Sequence, residues 1–61
     1  MEIGNRVTTD DGIGTIKTID LPESVNYRFG VLHDVWPNRY DPEAFKDNLL
    51  YYFPRELKAL D

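Results

Sequence analysis

Clusters of turn-forming residues interrupt this chain so often that no long element fits between them. They are Thr9-Asp10-Asp11-Gly12-Ile13-Gly14, Leu21-Pro22-Glu23-Ser24, Trp36-Pro37-Asn38-Arg39-Tyr40-Asp41-Pro42 and Phe53-Pro54. The runs between them are short and rich in β-branched and aromatic residues, which is the pattern of an all-β domain. With 61 residues, one domain spanning 1–61 is expected. A chain of this size buries only about 60% of the surface it exposes when unfolded, so its core is marginal. It has no Cys, and therefore neither a disulfide nor a Cys-based zinc site to staple it. Stability must come from its Ile, Val and Leu residues and from three Phe, four Tyr and one Trp.

Five short strands are predicted. The first runs Asn5 to Thr9, anchored by Val7, and the second Gly14 to Asp20, after a tight Asp11-Gly12 turn. In the second, Ile16 and Ile19 are three apart and would fall on opposite faces of a flat strand. A bulge or strong coil near Thr18 would reconcile them. The third strand, Tyr27 to Asp34, sets Phe29, Val31 and His33 on one face. Its Gly30 marks a bend or the close approach of another backbone. Val35 to Asn48 forms a long irregular stretch in which Asp41-Pro42 opens one helical turn. The fourth strand is Leu49 to Phe53. Pro54 to Leu57 reads as a 3₁₀ turn and Leu57 to Leu60 as the last strand, in preference to a two-turn helix too short to be stable alone.

Seven basic against eleven acidic residues give a net charge of −4. This disfavours a general nucleic-acid binder, whose affinity comes from Lys and Arg on phosphates. No apolar run approaches the ~20 residues of a membrane span, and the opening Met-Glu-Ile does not read as a signal peptide. With no Cys, a cytoplasmic location is expected. No cofactor or metal site is predicted. His33 is the only His and lacks catalytic or ligating companions, so it is expected to be partly buried and satisfied by a backbone group. Asp10, Asp11, Asp34, Asp41, Glu43 and Asp47 are read as turn-forming and solvated, because nothing in their spacing matches a calcium loop or a carboxylate pair. Gly12-Ile13-Gly14 lacks the third Gly of a dinucleotide loop and the Lys of a P-loop, and reads as a hairpin turn. No catalytic residue is assigned, and the chain is expected not to be an enzyme.

Ile3-Gly4-Asn5-Arg6-Val7, Asp11-Gly12-Ile13-Gly14-Thr15-Ile16 and Phe29-Gly30-Val31 before Asp34 resemble the opening of CAP-Gly and KOW-type barrels. Tyr51-Tyr52-Phe53-Pro54-Arg55-Glu56-Leu57 resembles the end of such barrels, where an aromatic strand leads through a turn into a final strand. The resemblance covers the chain except Val35 to Asn48. It implies a small five-stranded SH3-like barrel with a 3₁₀ turn before the last strand. Such barrels host unrelated activities, so it implies no single function. The Gly-Lys-Asn-Asp-Gly loop of CAP-Gly domains and the Ala-Leu-Tyr-Asp-Tyr motif of signalling SH3 domains are both absent, so neither of those ligand classes is implied. The type is similar to that of small bacterial or phage accessory proteins.

The aromatics carry the functional expectation. Tyr27, Trp36, Tyr40, Phe45, Tyr51, Tyr52 and Phe53 are too many for so small a barrel to hide, and Arg28, Arg39 and Arg55 adjoin them. Tyr, Trp and Arg are the residues enriched in interface hot spots. The leading expectation is a non-catalytic module that binds a peptide or protein surface through Trp36, Arg39, Tyr40, Tyr51 and Tyr27. The competing structural role for Trp36 and Phe45 is to pin the long loop onto an open end of the barrel. Two other functions are carried as alternatives: nucleic-acid binding through Arg6, Arg28, Arg39 and Arg55, and an acidic inhibitor or decoy of phage or bacterial origin. A monomer or weak homodimer is expected, because a small open barrel leaves strand edges that can pair.

Overall fold

The computed structural model describes residues 1–60 and is all-β, with five antiparallel strands in one sheet. The strands are β1 (Arg6–Thr9), β2 (Gly12–Asp20), β3 (Arg28–His33), β4 (Leu50–Tyr52) and β5 (Lys58–Ala59). Single 3₁₀ turns occupy Pro42–Ala44 and Pro54–Glu56. The spatial order is β4-β3-β2-β1-β5. The sheet curls around its core without closing, so β4 and β5 are free edges. The strand count and the 3₁₀ turn before the last strand are as predicted. The observed strands are trimmed at their ends, except that β2 begins earlier, at Gly12.

That early start comes from a tight β1–β2 turn in which Thr9 pairs with Gly12 across Asp10-Asp11. Gly12 sits at φ +122°, a conformation that a Cβ would strain. Along β2 the register slips by one: Ile16 pairs with Val31, but Thr18 pairs with Gly30. Lys17 is the extra residue of a bulge, and the slip turns both Ile16 and Ile19 toward the core. Of the bulge or strong coil expected near Thr18, it is the bulge that is present, one residue before it. Gly30 lies beside it and is approached closely, but by the side chains of Thr18, Tyr51 and Leu49 rather than by a backbone.

The core consists of Val7, Ile16, Phe29, Val31, Leu50, Tyr52 and Leu57. Val7, Ile16 and Val31 are fully buried; each such side chain contributes about 1.5–3 kcal/mol. In the long loop, Asp41 caps the first 3₁₀ turn by accepting from the Glu43 N–H (3.0 Å), with Pro42 at its first position, as predicted. Trp36, Tyr40 and Phe45 from this loop pack against the core. Among the described residues, no helix is long and apolar enough to cross a membrane.

Candidate functional site

The β1–β2 turn and the start of the long loop stand side by side because β3 delivers the chain next to β2. The Asp34 N–H donates to the Ile13 carbonyl (3.0 Å), extending the β2–β3 pairing by one step. Between the two segments lies an open pocket of about 550 Å³, lined by Ile13, Asp34, Val35, Trp36, Pro37 and the turn residues Asp11 and Gly12. Val35 is 80% exposed and Ile13 45% exposed, while Trp36 is half-buried. Trp36 is fixed from behind. Its indole N–H donates to the Tyr40 carbonyl (2.9 Å), and its ring packs on Phe45 (centroids 5.5 Å), which meets Tyr40 edge-on (5.6 Å). One face of the Trp36 cluster pins the loop to the core, and the indole also forms part of the pocket wall.

The wall is braced by a buried polar network that the sequence reading did not anticipate. The Tyr52 hydroxyl donates to Asp11 Oδ2 (2.6 Å), and Arg39 Nη2 pairs with Asp11 Oδ1 (2.6 Å). The Asp11 side chain is only 4% exposed, so it is not the solvated turn carboxylate expected from its neighbours. His33 Nε2 lies 3.1 Å from Thr9 Oγ1 and 3.2 Å from Tyr52 Oη. Thr9 Oγ1 accepts from the Asp11 N–H (2.9 Å) and can donate to the Gly12 carbonyl (3.2 Å) or to Tyr52 Oη (3.4 Å), while the Tyr52 proton goes to Asp11. His33 is buried, as its place on the Phe29–Val31 face suggested. Its Nε2 is held by side-chain hydroxyls; the Val31 backbone is close enough to pull its pKa upward, although Nδ1 makes no hydrogen bond of normal geometry among the described residues.

Burial sets the electrostatics of this network. It holds the His33 pKa below the usual range, against the opposing pull of the Asp11 charge. It raises the Tyr52 phenol, and the Asp11 hydrogen bond, which the neutral phenol donates, raises it further. His33 and Tyr52 are thus neutral at pH 7, and only the Asp11–Arg39 pair is charged. On the outer face, Arg6 of β1 reaches across β2, donating to Thr15 Oγ1 (2.9 Å) and to Oδ1 of Asp34 just after β3 (2.6 Å). The hydrogen bonds from Arg6 to Asp34 hold its carboxyl below the usual carboxylate range.

Of the residues singled out by sequence, Trp36, Arg39 and Tyr40 come together, with the Arg39 guanidinium 4.8 Å from the Tyr40 ring centre. Tyr51 lies on the β4 edge, where its hydroxyl donates to Asp47 Oδ2 (3.1 Å) and Arg28 stands over its ring (5.7 Å). Tyr27 meets Phe29 edge-on (5.6 Å) and lines a smaller apolar pocket with Met1, Ile19, Pro22 and Pro54. Ile13 and Val35, the most exposed apolar residues of the larger pocket, carry no signal that separates them in sequence from ordinary core residues. Only the β2–β3 register, which places Asp34 against Ile13, brings them together. No protein-family model, curated protein or solved structure matches the chain.

Proposed function

We propose that the chain is a small, open member of the SH3-like class acting as a non-catalytic interaction module. Its ligand would be a peptide or protein segment seated between the β1–β2 turn and the long loop. The strand order β4-β3-β2-β1-β5, with a 3₁₀ turn before β5, supports the class. The observation that carries the function is the exposure of Val35 and Ile13 beside a Trp36 whose indole is already fixed by Tyr40 and Phe45. An anchor held in place before binding costs little entropy to use, and apolar side chains around a concave site offer area to bury.

Nucleic acid is the weaker reading. Arg6, Arg28 and Arg39 are engaged with Asp34, Asp20 and Asp11 respectively, and Arg55 lies over the Phe53 ring. Phosphate contact would have to compete with those carboxylates.

The test is a selection of displayed peptides on the wild-type chain, followed by titration of the winner into isotope-labelled protein. The expected result is amide shifts at Ile13, Val35 and Trp36, and a loss of affinity of about tenfold or more in Val35→Asp. A selected peptide that shifts other residues and ignores Val35→Asp would refute the site.

A further inference from the structure

The free edge of β4 is capped at both ends, and the caps fall on the donors that a second copy would need. The phase of the sheet fixes which groups face outward. Ile16 exchanges hydrogen bonds with the β1 side, its N–H donating to Asn5 and its carbonyl accepting from Gly4. Its neighbour Thr15 therefore faces β3 and its partner Leu32 faces back, which turns the backbone groups of Val31 and Phe29 toward β4. Val31 pairs with Leu50 and Phe29 with Tyr52. The outward-facing groups are consequently those of Leu49, Tyr51 and Phe53.

Two of those three N–H donors are already used. Leu49 N–H donates to Asp47 Oδ1 (3.0 Å) and Phe53 N–H donates to Glu56 Oε1 (2.9 Å). Tyr51 N–H, between them, has no partner among the described residues. A symmetric antiparallel pairing of two β4 edges would centre on Tyr51. It would join Tyr51 to its copy and Leu49 to the copy's Phe53. The donors it requires at its two ends are those held by Asp47 and Glu56. The same register would bring Asp47 of one chain close to Glu56 of the other, adding like-charge repulsion in place of attraction.

We propose that Asp47 and Glu56 act together to keep the β4 edge closed to a second copy of this chain, and that removing both opens it to edge-to-edge dimerisation. Unguarded edges are templates for such pairing. A dimer of the wild type would lose four donors at its ends, each unmet backbone group carrying a penalty of its own.

The experiment is sedimentation of the full chain across a concentration series. The wild type is expected to remain a single chain, and Asp47→Ala/Glu56→Ala to double in mass. A version of the double variant with an N-methylated Tyr51 amide, accessible by synthesis at this length, is expected to return to a single chain. A folded double variant that stays monomeric overturns the proposal, as does a dimer that survives N-methylation. If the double variant does not fold, Asp47→Ala and Glu56→Ala are compared singly. Each frees one donor per chain and is expected to associate at lower concentration than the wild type. A folded single variant that gains nothing over the wild type overturns the proposal equally.

Discussion

The phenol of Tyr52 on β4 donates to the carboxylate of Asp11 in the β1–β2 turn, 41 residues away in the chain, at 2.6 Å. It joins β4 to a turn with which β4 shares no backbone ladder, since β4 pairs only with β3. Together with Arg39, it ties β4, the first turn and the long loop into one wall. The pocket proposed to bind a ligand is built on that wall, so the polar network sets both stability and site geometry.

Tyr52→Phe tests this directly. The substitution keeps the ring and its packing but leaves a buried carboxylate oxygen of Asp11 short of a partner; Thr9 keeps its hydrogen bonds to the Gly12 carbonyl and from the Asp11 N–H. Hydrogen bonds to charged groups contribute about 1.5–3 kcal/mol, and the loss is expected in that range. Urea titration measures it. A loss near zero would mean that Asp11 is satisfied by Arg39 alone.

Acid should weaken the fold through His33. Its folded pKa lies below the ordinary value of 6.5, because burial penalises the imidazolium. The unfolded chain therefore binds more protons than the folded one in the window below pH 6.5, and stability rises with pH there. The contribution is fully present above pH 6.5 and is lost as pH falls toward the depressed folded value. Asp34, lowered by Arg6, adds a separate loss beginning lower, below its ordinary value of 3.8. Stability measured by urea titration from pH 7.5 to 4.5 should fall on acidification, and His33→Gln should flatten that part of the profile. An unchanged profile in the variant would remove His33 as the cause.

Leu21 occupies the left-handed region at φ +52°, where a γ-branched side chain gains nothing and is 57% exposed. Its carbonyl accepts from the Ser24 N–H to close the turn after β2. Asn tolerates this backbone far better, and the conformation costs an ordinary L-residue roughly 1–2 kcal/mol. Leu21→Asn is expected to raise stability by about 0.5–1 kcal/mol in thermal unfolding. A lower melting temperature would show that the Leu side chain contributes more than the strain costs.

The strand sequence, the bulge and both 3₁₀ turns were legible because each rests on local chemistry. The spacing of Ile16 and Ile19 called for a bulge or strong coil, and Asp41-Pro42 and Pro54 are local start signals. The site was less legible, because its members meet only through long-range register. Asp11 and Tyr52 carry no mark of their pairing in sequence. The aromatic surplus located Trp36 and Tyr40 but could not separate Tyr51, which the β4 edge carries elsewhere. Openness of the sheet was expected only from the type of small barrel, since strand number alone does not say whether the two edges meet.

Gly14 and Gly30 both sit where a Cβ would collide, and they should respond differently to substitution. A Cβ at Gly14 would stand 2.6 Å from the Leu32 carbonyl oxygen and 2.6 Å from Val31 Cγ1. The first obstacle is ladder backbone and the second is a fully buried side chain, so neither can yield. At Gly30 the obstacles are side chains: the hydroxyl of Thr18, the Tyr51 ring at 3.0 Å and Leu49 Cδ1 at 3.3 Å. Overpacking costs typically about 1–3 kcal/mol, and Gly14→Ala is expected at or above the top of that range. Gly30→Ala should cost less. Thr18→Ala should recover part of that cost, because it removes the nearest obstacle; a double-mutant cycle would read the coupling. Thr18→Ala should not rescue Gly14→Ala, which meets different atoms. Additive behaviour of Thr18→Ala with Gly30→Ala would show that the strand moves aside instead, and that the bulge at Lys17 gives the backbone room to do so.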